Sequence, residues 1–414
     1  MTAIEAGGPP TPFVFVIAGE PSGDALGAAL IRGLRQRTDN RLRVAGIGGE
    51  QMRAEGVDSL VPLGDLAVIG VAEVLPRAFV ILKRVRETVA AVQALRPDIV
   101  VTIDSSGFSW RIAQRLRCRG EKLPIVHFVA PMVWAWRAGR ARRMARWYDH
   151  LMALLPFEPP YFERVGLACS YVGHPVLESG ADCGDAERFR AAYGLARDET
   201  LLAILPGSRG GEVRRLLPIL GGALVRLKNA LGQFRVAVPT VATVADAVSI
   251  GVCNWPGAPI IVRDSREKYD AFAASRAALA ASGSVALELA MARVPMVVCY
   301  RLNPLTEALL ERVLKVRHVN LVNLLLEQPV VRELLGHECT PELLAAEAAR
   351  LVRDEEVRSA HLAGYDKALR RLGAGGRSPS LRAADQVLAI VAARRGGEAD
   401  SPISSSSYSR RNKR

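Results

Sequence analysis

The sequence contains few of the features that mark disulfide-bonded, zinc-binding or membrane-spanning proteins. Its six cysteines, among 414 residues, are scattered and form no C-x-x-C pair. This argues against a disulfide framework and a structural zinc site, and it favours a reducing compartment. No apolar run approaches the roughly 18–20 residues that cross a bilayer. No basic segment precedes the strand-length apolar run at 13–18, so we expect no signal peptide and a cytoplasmic location.

Two common nucleotide-binding consensus sequences are also missing. The loop after the first apolar run reads GEPSGD (19–24), which is neither G-x-G-x-x-G nor a Walker A sequence. The sequence therefore supports neither a Rossmann dehydrogenase nor a P-loop kinase. It also contains no internal repeat with a period of roughly 20–50 residues, which argues against a solenoid or propeller.

Positive charge is abundant: the formal net charge is +13 and the pI is near 9.9. Nucleic acid, an anionic membrane surface or phosphorylated substrates would each explain this excess. Part of it lies in the last five residues, RRNKR, which follow a serine-rich stretch. We expect 1–12 and the basic tail 398–414 to be disordered.

Short apolar runs alternate with helical patterns along most of the chain. The first half contains five such runs, at 13–18, 44–47, 97–103, 124–129 and 151–155. The second half contains five more, at 201–205, 235–239, 259–262, 278–281 and 296–300. This alternation predicts an α/β fold with parallel sheets, in which polar loops at the carboxyl ends of the strands bind ligands.

The length of the chain predicts two domains with a cleft between them. We place an N-terminal domain at 13–178 and a C-terminal domain at 179–370, divided near the charged, Asp- and Gly-rich segment 176–200. Glycines at 373–376 interrupt the helical C-terminal region, and we expect the last helix, 371–397, to pack back on the N-terminal domain.

The stretch 280–299 reads as a strand end, a turn of small residues, a short helix and a second strand. Ser282, Gly283 and Ser284 stand where unpaired backbone N–H groups and the helix dipole favour an anion. Glu288 follows one turn later and is suited to bind a sugar hydroxyl. The alternative is a capped helix whose early glutamate only complements the dipole.

Nine short motifs, in order over roughly 13–345, make the sequence resemble the lipid-A-disaccharide synthase family. They are AGEPSGD (18–24), LAVIG (66–70) with EVL (73–75), PMVWAWR (131–137), LPFE (155–158), GH (173–174), LPGSRG (205–210), ASGSVALE (281–288), PMVV (295–298) and NLL (323–325). The resemblance implies an inverting glycosyltransferase of the GT-B type, with two Rossmann-like parallel-sheet domains. Such an enzyme joins UDP-2,3-diacylglucosamine to 2,3-diacylglucosamine 1-phosphate through a β-1,6 bond and releases UDP.

The resemblance further implies no metal or other cofactor, a peripheral position on the inner membrane, and a homodimer. Arg209 matches the arginine of the family's PGSR motif and is expected to pair with the leaving diphosphate, while Gly207 and Gly210 allow the backbone to approach. Asn323 matches the NLL motif and is expected to hydrogen-bond the donor; a turn or helix cap is the alternative. Ser282, Gly283, Ser284 and Glu288 match diphosphate and ribose positions.

The catalytic base is expected in the N-terminal half. The candidates are Glu20, Asp24, Asp98, Asp104 and His127. At 105–108 this chain reads SSGF, so Gly107 stands where the family usually has a carboxylate. The base is therefore assigned to Asp104 or Glu20, with Asp98 as a further candidate. His127 is equally suited to a buried core position, and His174 is expected to shape the domain junction.

The segment 76–94 predicts an amphipathic helix with an apolar face flanked by cations. Its candidate membrane contacts are Phe79, Val80, Leu82, Lys83, Arg84 and Arg86. An ordinary helix packed on its sheet is the alternative. A basic and aromatic cluster at 134–147 would suit RNA by composition, but the resemblance favours a lipid-phosphate surface.

Two other functions remain open at this point. Another UDP-sugar enzyme of the same architecture, such as an epimerase or a peptidoglycan-type N-acetylglucosaminyltransferase, would share the nucleotide pocket. A basic nucleic-acid-binding protein would share the charge, although the sequence contains no recognition motif for nucleic acid.

Overall fold

A computed structural model describes residues 11–66, 74–135, 139–301 and 317–399. The predicted disordered segments 1–12 and 398–414 fall largely outside these residues. Trp136 and Arg137 of the basic and aromatic cluster also lie outside them. None of the described helices is long and apolar enough to cross a membrane.

The first half forms a six-stranded parallel sheet in the order β2-β1-β3-β4-β5-β6. Its strands are β1 (Phe13–Ala18), β2 (Arg43–Ile47), β3 (Ile99–Ile103), β4 (Ile125–Phe128), β5 (His150–Ala153) and β6 (Ala168–Tyr171). The central strands β1 and β3 are buried along their whole length, as expected for a sheet covered by helices on both faces.

The second half repeats this architecture, with the strand order β12-β11-β10-β7-β8-β9. Its strands are β7 (Leu201–Leu205), β8 (Arg235–Pro239), β9 (Ile260–Val262), β10 (Ala277–Ala281), β11 (Met296–Tyr300) and β12 (Arg332–Leu335). All strand pairs in both sheets are parallel. The predicted α/β class with two Rossmann-like parallel-sheet domains is confirmed.

Helices follow the strands and cover both faces of each sheet. In the first half they are α1 (Pro21–Arg37), α2 (Glu50–Ala54), α3 (Val74–Leu95), α4 (Ser106–Cys118), α5 (Gly139–Met144) and α6 (Pro159–Glu163). In the second half they are α7 (Ala186–Tyr193), α8 (Gly210–Leu231), α9 (Ala245–Val252), α10 (Ser265–Ala274), α11 (Val285–Met291), α12 (Leu321–Leu326), α13 (Pro341–Arg353), α14 (Glu355–Arg371) and α15 (Pro379–Ala399).

The last helix, α15, leaves the second domain and packs on α1 of the first. The two helices approach so closely that a Cβ on Gly33 would lie 2.7 Å from the carbonyl oxygen of Ser380. Arg37 pairs with Asp385 at 2.5 Å across the same contact. The chain therefore crosses between its halves twice, once after β6 and once before α15.

The loops that follow β4 and β5 join the core of the second domain. Trp134 and Leu155 belong to one buried apolar cluster with residues of β7, β10 and α11. Glu158 lies beneath this contact and accepts hydrogen bonds from the Leu155 N–H at 2.9 Å and from Trp134 Nε1 at 3.2 Å. Burial raises the pKa of Glu158 to about 7, in spite of these two donors.

Candidate functional site

Each sheet has one point where the strand order reverses, and there the neighbouring loops diverge to opposite faces. In the first sheet this point lies between β1 and β3, and in the second between β7 and β10. Open α/β sheets bind their ligands in the crevice at such points, outside the carboxyl ends of the strands. The predicted motifs at 19–24, 104–107, 207–210 and 282–288 all follow one of these four strands.

The switch point of the second domain contains a cavity of about 330 Å³. The predicted residues Gly207, Arg209, Ser282, Gly283, Ser284 and Glu288 line it. The helix α8 begins immediately after Arg209, and α11 begins after Ser284, so unpaired backbone N–H groups of two helices meet here. The site is therefore suited to an anion that carries more than one phosphate.

Arg209 is held at this site by a buried carboxylate. Its Nη1 donates to Glu212 Oε1 at 3.2 Å, and the Tyr300 hydroxyl donates to the same oxygen at 3.2 Å. Glu212 is buried, whereas the Arg209 side chain is 80% exposed, so the guanidinium still faces solvent. Gly207 has φ +106, and a Cβ there would lie 2.8 Å from Glu212 Oε2, so the loop needs glycine at this position.

Glu288 does not stand alone in the pocket, because Lys268 of α10 donates to its Oε2 at 2.7 Å. Both side chains are about three-quarters buried and line the cavity. The hydrogen bond from the ammonium group orients the carboxylate, which suits it to accept hydrogen bonds from a pair of sugar hydroxyls. Thr240 lines the same wall, and its buried hydroxyl has no hydrogen-bond partner within the described part of the chain.

The switch point of the first domain is unusually crowded. A Cβ on Gly19, after β1, would lie 2.4 Å from Ser105 Oγ, after β3. Asp104 and Ser105 both adopt left-handed backbone angles, with φ +45 and +42. For residues other than glycine such angles cost about 1–3 kcal/mol each, and they cluster at functional sites. Hydrogen bonds hold the strained turn: the Asp104 N–H donates to Phe128 O at 3.0 Å, and Ser109 Oγ donates to Asp104 O at 2.9 Å.

Glu20 stands at the N-cap position of α1, but its side chain makes no capping hydrogen bond, so the carboxylate is available for chemistry. The side chain is reached by solvent, yet protein atoms surround it on several sides. This partial loss of hydration, together with repulsion from Asp104, raises the pKa of Glu20 above its usual value. Arg209 of the other domain acts in the opposite direction and lowers it. The two switch points are therefore close enough to interact across the cleft.

Two predicted site residues lie elsewhere. Asp98 precedes β3 at the amino edge of the first sheet, where its carboxylate accepts from the Phe13 N–H at 2.7 Å and from Arg395 of α15 at 2.7 Å. It is thus at the wrong end of the strand to act as a base in the cleft. Asn323 is fully buried and bonds to Val331 and Glu333, so its amide joins α12 to the edge strand β12. Its contact with the donor stays a prediction.

Three other candidates, Asp24, His127 and His174, are buried and form hydrogen bonds within the protein. Asp24 is buried and accepts from the N–H groups of Gly49, Gln51 and Met52, so it caps α2. His127 lies within β4, where its Nδ1 is 2.8 Å from the Thr102 hydroxyl. Burial lowers its pKa to about 3. His174 accepts from the Val176 N–H at the junction between the halves, and burial lowers its pKa to about 4.

Gly107, where the family usually has a carboxylate, is exposed in the first turn of α4. A Cβ there would meet no atom within 4 Å. The position therefore has room for a longer side chain, and its absence leaves Glu20 and Asp104 as the carboxylates of this wall.

The predicted membrane helix divides into two parts. At its start Phe79 is 81% exposed and Val80 is 39% exposed, while Val85 and Val89 further along are buried in the core. Lys83 and Arg86 are exposed, and Leu82 is half-buried. Arg84 forms ion pairs with Asp65 at 2.6 Å and with Glu87 at 2.7 Å, so its charge is already paired within the protein.

Glu212, Lys268 and Thr240 are the site residues that the sequence did not predict. Lys268 and Thr240 lie in segments without a recognisable motif, and only the fold brings them to the 282–288 turn. Glu212 could have been found, because it stands three residues after Arg209, where a helix places two side chains on one face. No three potential metal ligands among His, Cys, Asp and Glu come together within the described ranges.

A protein family described as lipid-A-disaccharide synthetase matches residues 14–386 of this chain. A lipid-A-disaccharide synthase of Rhodospirillum centenum is 51% identical over 381 residues, which cover 92% of this chain and 95% of that protein. A lipid-A-disaccharide synthase of Paramagnetospirillum magneticum is 48% identical, with coverages of 91% and 97%.

Among solved structures, the S. aureus MnaA–UDP co-structure is similar, with a TM-score of 0.65. The similarity covers 94% of this chain and 99% of that one at 12% sequence identity, so it concerns the fold alone. It agrees with the predicted arrangement of two Rossmann-like domains around a cleft.

We predict that Lys268→Met weakens the binding of UDP about tenfold, because removal of the ammonium leaves Glu288 unpaired and takes a cation from the pocket. A hydrogen bond to a charged group contributes about 1.5–3 kcal/mol, and roughly 1.4 kcal/mol corresponds to a tenfold change in affinity. Titration calorimetry measures the affinity. Arg226→Met, which removes a surface pair with Glu342 on the same domain, is the control and should leave UDP binding unchanged. Equal affinities of all three proteins would exclude Lys268 from the nucleotide site.

Proposed function

Because the chain belongs to the lipid-A-disaccharide synthase family, we propose that it transfers 2,3-diacylglucosamine from its UDP derivative to 2,3-diacylglucosamine 1-phosphate. The product is the β-1,6 disaccharide of lipid A, and UDP is released. Family membership makes the chain a glycosyltransferase of lipid A biosynthesis. The identity of both substrates, the inverted stereochemistry and the residue roles are parts of the proposal.

In this proposal the second domain binds the nucleotide. The turn at 282–284 and the start of α8 surround the diphosphate, and Arg209 donates to its oxygens. Glu288, oriented by Lys268, accepts from the ribose hydroxyls. As the bond from the sugar to UDP breaks, negative charge develops on the diphosphate, and a guanidinium together with two helix N-termini stabilises that charge.

In this proposal the first domain binds the acceptor and supplies the base. Glu20 or Asp104 removes the proton from the acceptor's 6-hydroxyl while the oxygen attacks the anomeric carbon from the face opposite UDP. Attack from that face inverts the configuration and yields the β linkage. We favour Glu20, since its carboxylate makes no capping bond and a raised pKa makes it a stronger base.

One observation carries this proposal: the Glu20 loop follows β1 and the Arg209 loop follows β7, at the switch points of the two sheets, and Arg209 is near enough to lower the pKa of Glu20. An acceptor beside Glu20 and a diphosphate beside Arg209 would thus be held in one cleft, as direct transfer requires. Family membership favours transfer over the epimerase and the nucleic-acid-binding alternatives.

The direct test is UDP release by the purified protein from the two acylated substrates, with the disaccharide identified by mass spectrometry. We predict that Arg209→Ala lowers kcat at least a hundredfold, because removal of a transition-state donor costs about 2.7–4 kcal/mol. Its thermal unfolding should be unchanged, since the side chain is exposed. Arg263→Ala, another exposed arginine of this domain, is the control; near-normal turnover of Arg209→Ala would contradict the diphosphate role.

The acidic limb of the pH profile distinguishes the two base candidates. If Glu20 is the base, activity falls as pH decreases through its raised pKa, and Glu20→Gln loses turnover. Asp104→Asn removes a repelling charge, lowers the pKa of Glu20 and shifts the limb of kcat/KM to lower pH.

The surface variant Asp198→Asn should leave this limb in place. A limb that stays fixed in Asp104→Asn, with full turnover in Glu20→Gln, would exclude Glu20 as the base.

We also propose that the first domain touches an anionic membrane, as acylated substrates require. Phe79 and Val80 would enter the interface, and Lys83, Arg86 and the exposed arginines 142, 143 and 146 near α5 would face lipid phosphates. The homodimer that the resemblance implies stays a prediction and is measured by light scattering.

We predict that Phe79→Asp reduces binding to phosphatidylglycerol vesicles severalfold, because a charge replaces an exposed apolar anchor. Sedimentation with vesicles measures the bound fraction. Leu343→Asp places the same charge at an exposed leucine of the second domain and should have no effect. Unchanged partitioning of Phe79→Asp would refute this membrane face.

A further inference from the structure

A second cavity, of about 470 Å³, lies between α8 and α9 on the second domain. Apart from Arg214, its lining is apolar or glycine: Gly210, Val213, Leu217, Pro218, Gly221, Gly222, Ala247, Gly251 and Trp255. Beside it on α9, Ile250 is 75% exposed. An apolar groove with an exposed apolar rim indicates an apolar ligand, because water is a poor partner for such a surface.

The groove has an open and a closed end. At the closed end the Trp255 indole fills the space above Gly221, where a Cβ would lie 2.5 Å from Nε1. At the open end lies Gly210, where a Cβ would meet no atom within 4 Å. The helix rises roughly 16 Å between these residues. The hydrocarbon core of a bilayer is roughly 30 Å thick, so the acyl chains of one leaflet extend over about half of that distance. The groove therefore has about the length of one acyl chain.

The open end adjoins the nucleotide pocket. Arg209 and Glu212 line that pocket, whereas Gly210 and Val213 line the groove. Both pairs belong to the start of α8, so the two cavities share one turn of helix. If the diphosphate of a ligand lies at Arg209, the group attached to that diphosphate lies next to the open end of the groove.

We propose that the groove between α8 and α9 binds one acyl chain of the sugar-nucleotide donor. This inference rests on the proposed function, which supplies a donor with two acyl chains. The donor's chain is favoured over the acceptor's because groove and nucleotide pocket share one helix, so their spacing is fixed within one domain. A helical protein segment, about 10 Å across, is too wide for a groove that lies between two packed helices.

The test is the dependence of donor affinity on acyl-chain length. A series of UDP-diacylglucosamines, whose chains lengthen by two carbons at a time, is titrated into the full-length protein without acceptor, below the concentration at which the donors aggregate. For the wild-type chain, affinity should rise roughly fourfold per added methylene until the chain reaches Trp255, as expected for burial of a CH₂ group.

Ala247→Trp fills the groove from an exposed position on α9 and should abolish this dependence while leaving UDP affinity unchanged. Val225→Trp adds the same bulk to α8 at an exposed residue that does not line the groove, and it should keep the wild-type dependence. Thermal unfolding of both variants confirms that they fold.

Equal chain-length dependence in Ala247→Trp and the wild type would overturn the inference and place the chains elsewhere, in the membrane or on the first domain. Affinity that is independent of chain length in the wild type would overturn it as well. Both results differ from a failure of the proposed function, in which no donor and acceptor pair releases UDP.

Discussion

Parallel strand pairing is the constraint on which the rest of this molecule depends. Because all strand pairs in both sheets are parallel, each sheet collects its strand-to-helix loops along one edge. The reversal of strand order then opens a crevice in the middle of that edge. The two crevices face each other, so residues nearly two hundred positions apart, Glu20 and Arg209, contribute to one electrostatic environment.

The two walls of the cleft are built differently, as their chemistry requires. The wall of the second domain consists of helix starts and paired charges, in which Glu212 and Lys268 donate or accept hydrogen bonds that orient Arg209 and Glu288. The opposite wall stores strain, since Asp104 and Ser105 both keep left-handed backbone angles. A preorganised wall is suited to an anion that it can bind without rearrangement, while strained backbone angles are typical of functional sites.

Much of this organisation is readable in the sequence, because buried central strands must be apolar. The runs at 13–18 and 201–205 coincide with β1 and β7, and the glycine-containing loops after them form the cleft. The edge strands β6 and β12 were not predicted, since half-exposed strands need no continuous apolar run. Side-chain roles were harder to read: Asp98 and Asn323 match motifs, yet local hydrogen bonds use their polar atoms. Lys268 reaches Glu288 only because the fold brings one residue of α10 close to the first turn of α11.

The return of α15 to the first domain affects how the cleft can open. The two chain crossings are adjacent, since the Tyr171 hydroxyl donates to Leu372 O at 2.6 Å and Ser380 Oγ donates to Glu178 at 2.6 Å. Two covalent connections held side by side define an axis, and a domain attached along an axis rotates about it more easily than it slides or twists. Any rotation of the second domain about this axis would carry the loop of Arg209 past the loop of Glu20 along a single path.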